Sequence, residues 1–218
     1  MNTEERYSRQ REIVPTERFE SLRATVIGVG AIGRQVALQL AAIGVTLMQL
    51  VDFDNVEESN IASQGYLEED LGKLKVEATA ALCCRVNSDL VVEIMSERFR
   101  RSMNVGEAIF CCVDSIDTRR LVWDAVKERC SFFCDGRMSA EVLRVLTVLD
   151  EASRQHYPTT LFATGEAYAG FCTAKTTIYC ANVAAGIMLS QFTKYLRSLP
   201  VDPDMSLNLL AAELSASS

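Results

Sequence analysis

Apolar residues along this chain fall into short continuous runs separated by stretches where they recur every three or four positions, and that alternation predicts strands and helices in turn. A β-branched run from about Ala24 to Val29 is followed by Ile32 to Ile43, with Val36, Leu38, Leu40 and Ile43 at helical spacing, and then by a second strand, Val45 to Asp52. The polar stretch Phe53 to Gly72 predicts a loop of about 20 residues, a length that in a compact domain usually serves function. Lys73 to Val86 reads as a helix with Leu74, Ala78, Ala81 and Leu82 on one face, and Val91 to Met95 as a short strand. Ala108 to Val113 is almost wholly apolar, the pattern of a parallel strand covered on both faces. Beyond it the pattern predicts a helix over Thr118 to Arg129 capped by Asp117, and strands over Ser131 to Cys134 and Leu143 to Leu149. A loop from Asp150 to Thr160 and one long amphipathic helix from Thr176 to Leu196 follow. Residues up to Leu22 form a polar helical lead-in broken at Pro15, and those past Pro200 a frayed tail.

Strands alternating with helices predict an α/β fold: a Rossmann-like, mostly parallel sheet flanked by helices, with a C-terminal mixed-sheet extension and a long final helix. At 218 residues a single domain is expected. It divides into the lead-in (1–22), a nucleotide-binding core (23–135), substrate-side strands with a crossover loop and helix (136–198), and the tail (199–218). A net charge of -7 argues against nucleic acid as a partner. The opening Met-Asn-Thr-Glu-Glu-Arg-Tyr lacks the apolar core of a signal peptide, and no apolar run approaches the roughly 18 residues of a membrane span. Eight cysteines scattered through strand-like and helix-like segments suit a reducing, cytoplasmic setting better than a disulfide framework. With His156 as the one histidine, a histidine-centred mechanism is not expected.

The first strand runs into Gly28, Gly30, Ala31, Ile32 and Gly33, a G-x-G-x-x-G loop opening a helix. Gly28 permits the tight turn, Gly30 lets backbone approach a phosphate, and Gly33 allows close packing of helix on strand. The helix start supplies unpaired N–H groups for an anion, while Asp52 closes the second strand where a carboxylate can accept ribose hydroxyls. Asp54, Asn60 and Gln64 lie in the long polar stretch, and Gly72-Lys73-Leu74-Lys75 offers two ammonium groups. Asp114 follows the fourth strand, at the carboxyl edge where ligands of such sheets bind. Two like unit charges about 4 Å apart repel by ~4 kcal/mol at an effective dielectric of 20, so a carboxylate beside phosphates calls for an intervening cation. Mg²⁺ with oxygen ligands fits that need and favours ATP over NAD.

These residues together resemble the MoeB/ThiF and ubiquitin-activating-enzyme superfamily of adenylyltransferases. Its R-Y-x-R-Q signature stands as Arg6-Tyr7-Ser8-Arg9-Gln10, followed in order by the glycine loop, Asp52 and Asp54, Ser59-Asn60, Gln64, Gly72 with Lys75, and Asp114. The resemblance runs from about residue 6 to 196, and implies a single adenylation domain using ATP and Mg²⁺. The substrate it implies is the C-terminal glycine carboxylate of a ubiquitin-like or sulfur-carrier protein, which attacks the α-phosphate to give an acyl-adenylate and pyrophosphate. By that resemblance Asp52 holds the ribose, Asn60, Gln64 and Lys75 the triphosphate, and Asp114 the Mg²⁺. Arg9 reaches the phosphates of a partner subunit, so a homodimer is expected, with a conjugating enzyme as a further partner.

Two departures bear on this. Ser63 stands where many members have an arginine, with Arg34, Lys73 and Arg6 as candidate replacements, and the paired C-x-x-C motifs of the family are absent, so no zinc is expected. Cys172, just ahead of the long helix and close to Lys175, is the candidate nucleophile for a thioester step; its alternative is a small buried hydrophobe. The other seven cysteines read as structural. Asp135-Gly136-Arg137-Met138 reads as a turn ending the fifth strand or as a lining of the substrate groove. Competing readings are a non-catalytic binding partner of the same fold, adenylation of a peptide or tRNA carboxylate, and an NAD-dependent oxidoreductase. The last leaves Arg9, Asn60, Lys75 and Asp114 without a role.

Overall fold

The computed structural model describes residues 3–19, 22–162 and 176–217. Five strands run parallel: β1 (Arg23–Ile27), β2 (Leu47–Val51), β3 (Val91–Met95), β4 (Ala108–Cys111) and the first half of β5 (Phe132–Ser139). Three more add on antiparallel: β6 (Val142–Val148), β7 (Asp204–Asn208) and β8 (Glu213–Ser217). They make one sheet in the order β3-β2-β1-β4-β5-β6-β7-β8. The mixed α/β architecture with its C-terminal antiparallel extension and long last helix is the expected one.

Side chains alternate across this sheet with period two. Ala24, Val26, Phe110, Phe132 and Cys134 face one side, where α2 (Ala31–Ile43) lies between α4 (Lys75–Val86) and α7 (Ile178–Leu196). Ile27, Ile109, Cys111 and Phe133 face the other, under α5 (Ile116–Val126) and α6 (Glu151–Thr159). Gly136 in β5 lets α7 approach closely, since a Cβ there would lie 2.5 Å from Met188 Sδ.

Several local expectations are corrected. The lead-in is a four-residue helix, α1 (Thr3–Arg6), followed by turns and a 3₁₀ turn at Thr16–Phe19. It is pinned to the carboxyl end of α2: Gln10 Nε2 donates to Ile43 O at 2.9 Å, and the Tyr7 ring lies against Gly44, whose φ of 104° closes that helix. The long polar stretch holds α3 (Glu58–Gln64) and a 3₁₀ turn at Glu68–Asp70. Asn60 Oδ1 caps α3 by accepting Glu57 N–H at 2.9 Å, and Gly65 ends it at φ +77°. Capping, not apolar periodicity, defines this polar helix. Of the face expected on α4, Ala78 is buried, Leu74 and Leu82 are half-buried and Ala81 is exposed, while Val76, Ala80 and Cys83 enter the main core beside them.

The cap of α5 is Ser115, whose Oγ accepts Thr118 N–H, in place of Asp117. Residues 135–138 continue β5 across the sheet, paired with β6, rather than ending it in a turn. Asp150 to Thr160 is not a loop: Asp150 Oδ1 accepts Ser153 N–H at 2.8 Å and starts α6. The tail past Pro200 is ordered as the β7–β8 hairpin, anchored where Arg144 Nε donates to Asp204 Oδ1 at 2.8 Å and His156 Nε2 lies 2.8 Å from Asp204 Oδ2. Among the described residues no helix is long and apolar enough to cross a membrane.

Candidate active site

The carboxyl ends of the parallel strands open into a cleft of about 1030 Å³. Its floor is the turn between β1 and α2. Gly28 sits there at φ +85°, where a Cβ would lie 2.8 Å from Cys112 O, so the turn needs glycine. Gly33 packs the helix down: its Cβ would fall 1.8 Å from Gly28 O. Gly30 differs, because a Cβ there would meet nothing nearer than Gln64 Oε1 at 3.9 Å. Gly30 is also the N-cap of α2, with no side-chain cap and no acidic residue in the first turn. The first N–H groups of a thirteen-residue helix therefore face open space, the condition for an anion site. Gln64 Oε1, beside that opening, is buried without a hydrogen-bond partner among the described residues.

Carboxylates and one ammonium rim this floor. Asp52, 9% exposed, is locked by Val29 N–H donating to Oδ2 at 2.6 Å and Asp54 N–H donating to Oδ1 at 2.9 Å. Each oxygen keeps a second lone pair for a hydroxyl. Tyr66 Oη donates to Val29 O at 2.6 Å and fixes the loop from behind, and burial pushes its hydroxyl well up, keeping it a neutral donor. Lys75 Nζ lies 3.3 Å from Asp54 Oδ2. Asp114 is exposed on the opposite wall beyond β4, next to the start of α5.

The structure thus brings Gly28, Gly30, Ala31, Ile32, Asp52, Asp54, Gln64, Lys75 and Asp114 to one cleft. It does not bring Asn60 or Arg9 there. Asn60 is 8% exposed and engaged in capping α3, one turn behind Gln64. Arg9 is exposed in the lead-in, at the far end of α2 from the glycine loop. Cys172 lies outside the described residues. Cys112 does line the cleft, but burial, with Cys111 adding to it, pushes its thiol well up and away from thiolate character.

None of the three cations suggested as replacements for an arginine at position 63 lines the cleft. Arg34 is 1% exposed, donating from Nε and Nη2 to Gly65 O at 3.1 and 2.7 Å and lying over the Tyr66 ring. Lys73 pairs with Asp70 at 3.0 Å, and Arg6 reaches Asn87 Oδ1 at 3.5 Å.

Of the stretch Asp135 to Met138, read as a turn or a groove lining, Gly136, Arg137 and Met138 do line the cleft; what sequence reasoning missed is the buried network that joins Arg119, Asp135, Arg137 and Tyr157. Asp135 is fully buried; Arg119 pairs with it, Arg137 Nε donates to its Oδ2 at 2.8 Å, and Tyr157 Oη donates to the same oxygen at 2.9 Å. Arg119 also donates to Val113 O and to Gly136 O, tying the chain next to Asp114 to β5. The signal was present: Arg119 shares the face of α5 with Val122, Trp123 and Val126, at i, i+3, i+4 and i+7.

The sequence profile described as the ThiF family matches residues 7–213. The chain is 34% identical over 141 residues to the sulfur carrier protein ThiS adenylyltransferase of Bacillus subtilis, covering 58% of this chain and 42% of that one. It is 38% identical over 93 residues to the SAMP-activating enzyme E1 of Haloferax volcanii, covering 42% and 34%. It therefore spans less than half the length of these relatives. Among solved structures, PaaA superposes with a TM-score of 0.79 at 21% identity, over 99% of this chain and 82% of that one. MccB of E. coli with AMPCPP and MccA superposes with a TM-score of 0.78 at 16% identity, over 100% and 72%. At these identities the structural likeness establishes the fold.

Proposed function

The chain belongs to the ThiF family, and from that premise we propose that it is an ATP-dependent adenylyltransferase acting on the C-terminal carboxylate of a ubiquitin-like or sulfur-carrier protein. The observation that carries this reading is the pairing, in one cleft, of an uncapped helix N-terminus with a carboxylate on the facing wall. The first suits phosphates and the second suits the cation that phosphates bring. The unpartnered Gln64 amide beside Gly30 fits the same ligand, since turned over it presents N–H donors to phosphate oxygens.

In this proposal the triphosphate lies over Gly30, Ala31 and Ile32, the ribose hydroxyls reach Asp52, and Lys75 leaves Asp54 for the phosphates. Asp114 would hold Mg²⁺, which would neutralise charge on the triphosphate. The substrate carboxylate oxygen attacks the α-phosphorus, an O–P bond forms, the bond to the bridging oxygen breaks, and pyrophosphate leaves. The protein's share is positioning and charge neutralisation. Asn60 joins only by giving up its cap on α3.

Arg9 is proposed to act in the partner subunit of a homodimer. The thirteen residues of α2, at about 1.5 Å each, place some 20 Å between the glycine loop and the end where the lead-in is pinned. A thioester on Cys172 and hand-over to a conjugating enzyme belong to the same proposal, with Cys172→Ala expected to keep adenylation and lose any reductant-sensitive adduct.

ATP–pyrophosphate exchange, measured with candidate carriers ending in glycine, tests the reading. Carrier-dependent exchange in the wild type, absent in Asp114→Ala at unchanged folding, supports it. Exchange driven equally by an unrelated peptide carboxylate would shift the substrate class, and exchange retained in Asp114→Ala would remove that residue from the site.

A further inference from the structure

Among the described residues four cations line the cleft: Lys75, Arg98, Arg119 and Arg137. Three are engaged by hydrogen bonds or ion pairs. Lys75 pairs with Asp54, Arg119 with Asp135, and Arg137 with Asp135 and the Thr160 hydroxyl. Arg98 is held differently. Its guanidinium carbon stands 3.9 Å from the centroid of the Phe53 ring, and the neighbouring carboxylate, Glu97, pairs with Arg100 at 3.2 Å instead. Both partners are exposed in the cleft, Phe53 at 42%, while Phe99 next door is buried and anchors the segment.

The location selects the ligand group. Phe53 follows Asp52, and β2 and β3 end in register, with Val51 opposite Met95 and Asp52 N–H donating to Met95 O at 3.2 Å. The Phe53–Arg98 pair therefore sits on the β3 side of Asp52. The glycine loop and Asp114 lie on the other side, over β1 and β4. A nucleotide with phosphates at α2 and ribose at Asp52 carries its base toward β3.

We propose that Arg98, seated over the Phe53 ring, is the platform on which the purine base of the nucleotide stacks. This rests on the reading of the cleft as an ATP site and extends it to the residue that orients the base. A planar, delocalised and weakly hydrated guanidinium stacks on aromatic rings, which an ammonium does not do. The phenyl ring beneath holds the guanidinium in place in advance, so less rotamer entropy is lost when the base arrives.

Binding of AMPCPP and of inorganic tripolyphosphate, both with Mg²⁺, separates the base from the phosphates. Arg98→Ala and Arg98→Lys are each expected to weaken AMPCPP by roughly 5- to 30-fold, the range of one lost stacking contact. Tripolyphosphate binding should stay unchanged in both, and thermal unfolding too, because Arg98 is exposed. Phe53→Leu, which keeps the charge and removes the platform, should weaken AMPCPP alone. Three results overturn the inference while leaving the ATP reading standing: AMPCPP binding unchanged in Arg98→Ala, full binding by Arg98→Lys, or equal losses for AMPCPP and tripolyphosphate. Wild-type protein that binds neither ligand overturns the ATP reading and this inference with it.

Discussion

Arg119 and Asp135 meet as an ion pair inside the protein, with side chains 6% and 0% exposed, directly behind the wall that carries Asp114. A buried carboxylate is tolerated because two guanidinium groups and the Tyr157 hydroxyl surround it. Asp135→Ala leaves Arg119 and Arg137 facing each other without their shared anion. We expect it to cost about 3–5 kcal/mol of stability. Arg119→Met should cost less, because Asp135 keeps Arg137 and Tyr157. Urea unfolding of the two variants checks the order; the reverse order would mean that Arg119, through its carbonyl contacts, is the main support of this wall.

Two glycines three residues apart should fail in different ways. Gly33→Ala puts a methyl 1.8 Å from Gly28 O and is expected to unfold the β1–α2 turn, seen as a large drop in melting temperature. Gly30→Ala meets nothing within 3.4 Å, so the melting temperature should hold while nucleotide binding falls steeply. Calorimetry on the free proteins and nucleotide titration of each distinguish the outcomes.

The proposal that Arg9 serves the cleft of a partner subunit can be tested by complementation. Arg9→Ala and Lys75→Ala should each be inactive alone. Mixed under conditions of subunit exchange, they should regain exchange activity through heterodimers holding one intact site. Subunits that exchange without recovery would place Arg9 outside the reaction.

Acid should loosen the C-terminal hairpin before the rest of the fold. Burial pushes the Asp204 carboxyl up, but hydrogen bonds from Arg144 and His156 outweigh it and hold the group below its usual range. A carboxyl lowered in the folded state contributes stability that is complete above its unfolded value of about 3.9 and is lost as pH falls through the lower folded value. Protection of the β7 amides, corrected for intrinsic exchange, should therefore fall below about pH 4, and in Asp204→Asn it should be lower and constant over that interval. Protection in β7 that does not change on acidification would sink this assignment.

The strands and the glycine loop were legible because their signals are local: apolar runs of β-branched residues, three glycines at fixed spacing, and an aspartate after each of two strands. The short helix over residues 58–64 and the helix over 151–159 were not, because side-chain caps at Asn60 and Asp150 start them within polar sequence. The β7–β8 hairpin was missed for another reason. Its partner, β6, lies some sixty residues earlier, and nothing in Asp204–Asn208 alone tells a strand from a loose end. The cleft residues split the same way. Asp52, Lys75 and Asp114 follow motif spacing, whereas Arg98 and Phe53 are joined by the registration of β2 with β3. Asp135 and Arg119 are joined where α5 meets β5.

The hairpin that closes the sheet has a practical consequence for anyone shortening the chain. Removing residues after Pro200 would strip β7 from β6 and uncover the ladder of Val142-Leu-Arg-Val-Leu-Thr-Val148, a segment with one charge and four residues of high strand propensity. Such an edge pairs readily with a copy of itself. A truncated protein would then be lost to precipitation during expression, and its failure would be misread as evidence about the chemistry of the cleft.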